Sequence, residues 1–268
     1  MENREKTIVL FFLFAALSIL YFFPDMIGSN RISSQSTFTQ SSQDVNNLFM
    51  EEVQKNVNAT RYTIDYSFQT TTSYGGFNFS GNGTEKISRD GLKYSSDSET
   101  TVLSQTTLLK SYSIPEGNFS CTKNESQNDF VCQRINQSQL QFFSGGISNP
   151  EDQLKNYQDY LQKGIISIKY SGVGNFSGRA CDNFTVDFDV EKLFQNLTPQ
   201  TIPGQPAEIE NFSSNICLDK ELGFASSVST QIVLSTSFSL KIDLSLLNFD
   251  TNVADKDFIL PVPVENVK

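Results

Sequence analysis

Apolar and polar positions alternate along most of the chain, and this two-residue period predicts β-strands. Tyr62, Ile64, Tyr66 and Phe68 share one side of the first such run, and the residues between them are polar. This pattern is typical of a half-buried antiparallel strand. The last long run, residues 232–244, alternates in the same way but exceeds the usual strand length, so we expect it to bend or break.

Turn-forming residues separate the alternating runs at short intervals. The triplets Gly81-Asn82-Gly83, Arg89-Asp90-Gly91 and Pro115-Glu116-Gly117 each indicate a reversal of the chain. Short strands joined by such turns are typical of an antiparallel meander. The sequence therefore predicts a β-rich domain.

Two stretches have the period of a helix instead. Asp44 is a suitable N-cap for the first, which we expect to run to about Asn56. Its apolar stripe either packs on a core or lies along a membrane, and the acidic polar face, which includes Glu52, favours the core. The second helix begins at Asn149-Pro150, with Pro at the first helical position, and ends at Gly164. Strands with a few helices give the class α+β.

The apolar stretch Thr7–Phe23 predicts a transmembrane helix. It carries no charge, and a helix of this length nearly crosses the hydrocarbon core of a bilayer. Arg4 and Lys6 precede it, so the positive-inside tendency leaves the N-terminus in the cytoplasm. A cleaved signal peptide and a buried globular helix are the alternatives, but the bulky core and the poor cleavage site favour a retained anchor.

These features divide the chain into three parts. Residues 1–27 are predicted to form a cytoplasmic tail and transmembrane anchor, and residues 28–43, rich in Ser and Gln, a flexible stalk. Residues 44–268 then form the β-rich domain outside the cytoplasm. We expect a single-pass protein of the cell membrane.

Composition excludes several classes of function. The net charge is −10, which argues against nucleic acid as a partner. The chain has no His, which removes Ser-His-Asp and Cys-His catalysis and the commonest metal ligand. Asp187 and Asp189 alternate with buried positions and are interpreted as a solvated face. We expect no enzyme activity, no cofactor and no bound metal.

The four cysteines predict two disulfides. Their number is even, they lie in the segment expected to be exported, and none are spaced as C-x-x-C. Of the three possible connectivities we favour Cys121–Cys132, which closes a short hairpin, and Cys181–Cys217, which ties two strands together. A four-thiolate zinc site is the alternative, but the spacings do not form paired knuckles.

Asn-x-Ser/Thr acceptors for glycosylation are about twice as frequent as chance predicts for this composition. Five of them read Asn-Phe-Ser/Thr, which in a strand places Asn and Phe on opposite faces. Richness in Ser, Thr and Asn alone is the alternative explanation. The candidate acceptors are Asn58, Asn78, Asn82, Asn118, Asn124, Asn136, Asn175, Asn183, Asn196 and Asn211.

Aromatic residues are abundant and spread over the predicted strands, with 23 Phe and 9 Tyr. These rings either fill a large core or line an apolar cavity inside a curved sheet. The residues that would line such a cavity are Tyr62, Ile64, Tyr66, Phe68, Phe142, Phe143, Leu154, Tyr157, Phe184, Phe188, Phe238 and Leu240.

Two short motifs resemble the lipoprotein-carrier (LolA/LppX-like) domains. Residues 216–225 (ICLDKELGFA) resemble the Leu-Asp-Lys-x-x-Gly-Leu-Pro turn of those domains, and residues 258–263 (FILPVP) resemble their terminal Phe-x-x-Pro strand. The Cys121–Cys132 hairpin and the many glycosylation acceptors look like membrane-anchored archaeal surface proteins of this type. The resemblance implies a strongly curved antiparallel sheet, an open half-barrel, with helices at its mouth.

The resemblance also implies that the concave face binds a lipid or other hydrophobic ligand. The retained anchor and the added disulfides depart from a soluble shuttle and favour a tethered binding or sensing domain, with an envelope protein as another partner. The alternative function is a structural or adhesive glycosylated surface protein with a filled core.

Overall fold

The computed structural model describes residues 42–135, 150–189, 191–192, 209–234, 238–264 and 267. Within these ranges the helices are α1 (Ser42–Asn58), α2 (Pro150–Gln162) and a 3-10 helix (Asp255–Phe258). The strands are β1 (Arg61–Tyr74), β2 (Phe77–Asp90), β3 (Lys93–Val102), β4 (Gln105–Ile114), β5 (Gly117–Asn124), β6 (Val131–Ile135), β7 (Ile166–Phe176), β8 (Arg179–Phe188), β9 (Ile209–Asp219), β10 (Ala225–Leu234) and β11 (Phe238–Asp250).

All eleven strands form one antiparallel sheet in the order β6-β5-β4-β3-β2-β1-β11-β10-β9-β8-β7. The first strand, β1, lies in the middle of the sheet, and β2 to β6 follow in order to one edge. β7 forms the other edge, and β8 to β11 follow in order back to the middle, where β11 pairs with β1. Two meanders therefore meet at the β1–β11 pair. Among the described strands β6 and β7 do not pair with each other, so the curved sheet is unclosed. The predicted α+β class with an open half-barrel is confirmed to this extent.

The predicted turn at Gly81-Asn82-Gly83 is wrong, because β2 runs straight through these residues. Gly83 pairs with Phe68, and a Cβ atom at Gly83 would lie 2.4 Å from Cζ of the Phe68 ring. The glycine therefore makes room for an aromatic ring instead of reversing the chain. Composition alone does not distinguish these two uses of glycine.

The predicted long strand at residues 232–244 breaks into two, as its length required. β10 ends at Leu234 and β11 begins at Phe238, and these two residues pair with each other. Because the strand folds back, Ile232 of the first half and Leu240 of the second are buried as direct partners on one face of the sheet.

Both major helices lie close to where the sequence predicts them. α1 begins at Ser42, so the last two residues of the predicted stalk belong to this helix, and it continues to Asn58. α2 begins at Pro150, as the Asn-Pro signal predicts. Each helix has its nearest sheet contact with β7, and the two helices also contact each other.

The main core lies between these helices and one face of the sheet, which we call the helix-bearing face. A second, smaller core lies on the opposite face, where Tyr112 and Phe119 pack against the Cys121–Cys132 disulfide. Leu260 and Val262 of the C-terminal segment cover it. The resemblance to a terminal Phe-x-x-Pro strand is not realised, because Phe258 ends a 3-10 helix and residues 259–264 form no strand.

The predicted anchor Thr7–Phe23 lies outside the described residues, as does the stalk up to residue 41. Of the helices that the structure describes, none is long and apolar enough to cross a membrane. The tether therefore stays a prediction.

Candidate functional site

A continuous apolar row crosses the helix-bearing face from β8 to β1. Strand register pairs Phe184 with Ile216, Ile216 with Val228, Val228 with Leu244, and Leu244 with Phe68. All five side chains are buried, at 7% exposure or less. Directly paired residues lie on the same face of a sheet, so this row forms an apolar floor five strands wide.

Helix α1 covers this floor through aromatic contacts. The Phe49 ring meets the rings of Phe184 and Tyr157, each at 5.2 Å between centroids and nearly perpendicular. Phe49 itself is 1% exposed. Edge-to-face packing of this kind adds about 0.5–1.5 kcal/mol per pair to the free energy of burial. The helix is therefore well seated on the β8 side of the floor.

The structure brings most of the predicted cavity residues together in this core. Leu154 is half-buried against it, and Phe142 and Phe143 lie outside the described residues. The fully buried members are Tyr62, Ile64, Tyr66, Phe68, Tyr157, Phe184, Phe188, Phe238 and Leu240. Their role as the lining of a ligand site stays a prediction.

The helix-bearing face changes character beyond β2. Ile87 pairs with Ser96, Ser96 with Ser111, and Ser111 with Ser120, so three hydroxyls follow one another across β3, β4 and β5. Each of these serines is 5% exposed or less. The Ser111 hydroxyl has no hydrogen-bond partner in the part of the chain that the structure describes. We call Ser96, Ser111 and Ser120 the hydroxyl row.

The carboxyl group of Glu85 stands beside the hydroxyl row. It lies on the helix-bearing face of β2, and the Ser96 hydroxyl donates a 2.7 Å hydrogen bond to its Oε1. Burial raises the pKa of Glu85 to about 7, and the bond from Ser96 offsets only part of that effect. Glu85 therefore changes charge near neutral pH.

A partly buried polar cluster, which we call the clasp, holds the C-terminal half of α1 to the sheet. Lys55 donates to both carboxylate oxygens of Glu52 at 2.7 Å and to the Lys220 carbonyl at 2.6 Å. The Lys220 ammonium in turn reaches Asp182 at 3.3 Å, and Asp182 also accepts the Tyr170 hydroxyl at 2.8 Å. The clasp thus links α1 to β7, β8 and the β9–β10 turn.

Burial sets the electrostatics of the clasp. It raises the pKa of Glu52, and the Lys55 ammonium lowers that pKa only in part. Burial, followed by the bond to Asp182, raises the pKa of the Tyr170 hydroxyl to about 12. The sequence analysis placed Glu52 on the polar face of the helix, and it is 3% exposed, because the β9–β10 turn packs against this part of α1.

The β9–β10 turn is itself fixed by Asp219. Burial alone raises the pKa of Asp219, but the Arg179 guanidinium and the backbone N–H groups of Leu222 and Glu221 outweigh it and hold that pKa below its usual value. Gly223 follows at φ +71°, and a Cβ atom there would lie 2.0 Å from the Glu52 carbonyl oxygen. Helix and turn are therefore in backbone contact.

Sequence reasoning missed the clasp as a unit. Asp219 and Lys220 were noted as part of a turn motif, and no local signal linked them to Glu52, which is more than 160 residues distant in the chain. Gly223 is the glycine of that turn motif. A glycine is needed there because α1 approaches closely, which only the tertiary structure shows.

The opposite face carries an open groove of about 780 Å³ across β3, β2, β1 and β11. It is polar, so it differs from the apolar cavity that the aromatic content suggested. Its lining residues are Ser67, Phe68, Gln69, Asn82, Gly83, Thr84, Glu99, Thr101, Asp243 and Ser245. Over the described residues, no group of three or more acidic or cysteine side chains is placed to hold a metal ion.

Both favoured disulfides are present. Cys121 and Cys132 are direct pair partners in β5 and β6, with Cα atoms 4.0 Å apart. Cys181 and Cys217 join β8 to β9 across 5.3 Å. The second bridge lies on the face opposite the apolar floor and fixes the strands beneath it.

The glycosylation acceptors differ in accessibility. Asn118 is half-buried, and Asn183 is 7% exposed with its side-chain amide donating to the Gly172 carbonyl. Asn136 and Asn196 lie outside the described residues. The exposed acceptors are Asn58, Asn78, Asn82, Asn124, Asn175 and Asn211. Asn183 is therefore the acceptor that we least expect to be modified.

The chain is similar in structure to several solved proteins. LprF from Mycobacterium bovis is 12% identical, with 86% of this chain and 100% of that chain covered, at a TM-score of 0.45. LppX from Mycobacterium tuberculosis is 10% identical, with 78% and 98% covered, at 0.40. A LolA superfamily protein from Nitrosomonas europaea is 9% identical, with 81% and 98% covered, at 0.29. No family model and no curated protein matches the sequence.

Proposed function

We propose that this chain is a membrane-tethered, extracytoplasmic, non-enzymatic domain that binds an amphiphile, with the apolar chain of the ligand on the apolar floor and its headgroup at the hydroxyl row. The residues that carry the proposal are those of the helix-bearing face. One half of that face carries the apolar row from β8 to β1, and the buried hydroxyls of Ser214 and Thr230 beside this row bond to each other. The other half presents three serines and Glu85.

The division of one face into two halves is the observation that supports an amphiphile over a wholly apolar ligand. Buried hydroxyls without partners cost free energy, about 1–3 kcal/mol each, so they favour a ligand group that can bond to them. Ser111 is such a hydroxyl among the described residues. Glu85, as a carboxyl or carboxylate, suits a hydroxylated or amine-bearing headgroup.

Helix α1 is the element that would move to admit the ligand. It lies over the β8 side of the floor through Phe49 and is held at its C-terminal half by the clasp. Elements of a fold can open as cooperative units, and opening of α1 requires both its Phe49 contacts and the clasp to break. The bound chain would then replace part of the helix contact.

Native mass spectrometry of the chain from Ser42 onward, purified without detergent, tests the proposal directly. This segment contains every described helix and strand. We expect a mass increment from co-purified lipid, and displacement of a dansyl-labelled fatty acid by lysophosphatidylcholine. A ligand-free mass together with no binding of the labelled fatty acid would contradict the proposal.

A structural or adhesive surface role is the second candidate. The near-perpendicular packing of Phe49, Phe184 and Tyr157 favours it, because those rings fill the space below α1. In that case the labelled fatty acid stays unbound while the domain remains folded and its exposed acceptors, such as Asn211, carry glycans. Glycopeptide mapping of the native protein separates the two outcomes.

A further inference from the structure

The β1–β2 hairpin extends past β3 at one end of the sheet, while β11 pairs with β1 as far as Tyr74, and we call this end of the hairpin the arm. The last pair between β2 and β3 is Gly81 with Val102, so residues 77–80 extend beyond β3. At about 3.3 Å per residue, the arm reaches roughly 13 Å past that pair. Gly75 and Gly76, both at positive φ, close its tip in two residues.

The tip of this arm is aromatic and exposed. Tyr74 and Phe77 pair directly across the hairpin, and they are 52% and 69% exposed. Adjacent exposed apolar side chains that form a patch mark interaction sites with proteins or membranes. The exposed aromatic rings therefore make the tip suitable for insertion into an apolar partner surface.

The arm is also free of charge in an acidic protein. Residues 66–84 contain no Asp, Glu, Lys or Arg, and neither do residues 222–240, which lead through β10 to the neighbouring hairpin. Residues 100–109, around the β3–β4 turn, are uncharged as well, and Leu103 in that turn is 63% exposed. Lys241, one of the nearest charges, is neutralised by Asp243 at 2.7 Å.

The aromatic tip is continuous with the main core. Tyr74 pairs with Phe238, their ring centroids lie 6.5 Å apart, and Phe238 is 8% exposed. Exposure thus falls from Phe77 to Tyr74 to Phe238 along one line. The uncharged arm with its aromatic tip is in this way anchored at its base to the main core.

We propose that the β1–β2 arm is a bilayer-docking element, which places Tyr74 and Phe77 in the headgroup region of a lipid membrane. Aromatic side chains prefer that region, because the ring meets apolar chains while polar groups stay hydrated. The uncharged arm avoids the repulsion that the acidic remainder of the protein meets at an anionic surface. This role is independent of whether the helix-bearing face binds a ligand.

A single introduced tryptophan tests the docking element, because the chain has none of its own. The full chain carrying Phe77→Trp is reconstituted in phosphatidylcholine nanodiscs, with or without brominated acyl chains. We expect the emission to shift to the blue and the brominated lipid to quench it at least about two-fold. The matched control is Leu92→Trp, since Leu92 is 92% exposed in the β2–β3 turn at the other end of the sheet.

Leu92→Trp should show neither the shift nor the quenching. Equal emission of Phe77→Trp in both lipids overturns the proposal, as does quenching of Leu92→Trp to the same extent. A blue shift of Phe77→Trp without bromine quenching assigns the tip to a protein contact and also overturns it. Both positions are exposed, so circular dichroism should report an unchanged fold.

The glycosylation acceptor Asn78 supplies a second, independent test. Asn78 follows Phe77 directly and is exposed, with its Oδ1 accepting the Ser73 hydroxyl at 2.6 Å. A glycan there would hold the tip away from the headgroups. Docking therefore requires Asn78 to be unmodified in the native protein, and glycopeptide mapping that finds it occupied overturns the proposal.

Discussion

Glu85 shows at the scale of one residue how a strand position acquires its chemistry. In the sequence it is one acid among many on an alternating strand, and its pKa of about 7 comes from the sheet that buries it. Ser96, on the neighbouring strand, is the hydrogen-bond donor that the structure assigns to it. The sequence had no means to single out this carboxyl, because burial is set by strands that are distant in the chain.

Replacing Glu85 with Gln should stabilise the protein above neutral pH. The folded-state pKa is raised above the unfolded value near 4.5, so the contribution of Glu85 to stability is full below that value and is lost as pH rises through about 7. We expect Glu85→Gln to be more stable than wild type by about 1–3 kcal/mol at pH 8 and similar at pH 4. Urea denaturation at both pH values measures the difference.

The control for this change is Glu99→Gln, an exposed carboxyl on β3. It should leave the difference between pH 4 and pH 8 nearly as in wild type. A Glu85→Gln curve parallel to the wild-type curve over that range would refute the raised pKa.

Gly223→Ala should destabilise the protein through the approach of α1 to the β9–β10 turn. Gly178 is a matched control, since it has a similar φ of +82° but nothing within 4 Å of an added Cβ, whereas Gly223 at +71° meets the Glu52 carbonyl oxygen at 2.0 Å. We expect Gly178→Ala to cost about 1 kcal/mol and Gly223→Ala about 2–4 kcal/mol. Equal losses in urea denaturation would show that φ strain alone is responsible.

At the scale of elements, α1 depends on contacts that the sequence pattern only half reveals. The helical period gave the apolar stripe with Val45, Phe49 and Val53, and all three are buried as that stripe predicts. Glu52 is buried too, because the β9–β10 turn wraps over the edge of the helix. The apolar period identifies one buried face of a helix, and it cannot predict that a second element packs on the polar face.

Lys55→Met should loosen α1 selectively. It removes the cation that pairs with the buried Glu52 carboxylate and the bond to the Lys220 carbonyl, at a cost of about 1–3 kcal/mol. We expect amide hydrogen exchange in α1 to accelerate about ten-fold or more, with the central strands unchanged. If α1 closes the amphiphile site, uptake of the labelled fatty acid should also become faster.

Lys163→Met is the matched control, because Lys163 forms a mostly exposed ion pair with Asp159. Pairs of that kind contribute little to stability, about 0.3–0.5 kcal/mol. Equal acceleration of amide hydrogen exchange in Lys55→Met and Lys163→Met would show that the clasp is not what holds α1 to the sheet.

The boundaries of the strands were the least predictable feature of the fold. The alternation of Tyr62, Ile64, Tyr66 and Phe68 identified β1, but the glycines of β2 were interpreted as a turn. Gly83 makes room for the Phe68 ring and Gly81 for Val102 and Thr70, and these uses depend on which residues lie across the strand pairs. Register is a property of two strands together, so one strand's sequence leaves it open.

At the scale of the whole molecule, two disulfides fasten different halves of one sheet. Cys121–Cys132 closes a local hairpin near the β6 edge, and Cys181–Cys217 fastens β8 to β9 below the apolar floor. Their sequence separations are 11 and 36 residues. Chain entropy therefore assigns the larger stabilisation to the second bridge.

Removing the bridges separately tests this assignment. The loop-entropy relation gives about 2.8 kcal/mol for Cys121–Cys132 and about 3.8 kcal/mol for Cys181–Cys217. We expect the Cys181→Ala/Cys217→Ala variant to unfold at lower urea concentration than Cys121→Ala/Cys132→Ala. The reverse order would indicate that packing of the second core, around Phe119, outweighs loop entropy.

The sequence by itself determined the α+β class, the principal helices, the apolar side of β1 and the two favoured disulfides. These follow from short-range periods, capping signals and cysteine counting, which need no knowledge of distant residues. Only the tertiary structure decided the meeting of β1 with β11, the hydroxyl row with Glu85, the clasp around Glu52 and the uncharged aromatic arm. The β1–β11 pair and the clasp join residues far apart in the chain, and the hydroxyl row and the arm depend on the register of neighbouring strands. Strand pairing, and no local pattern, therefore brings these residues together.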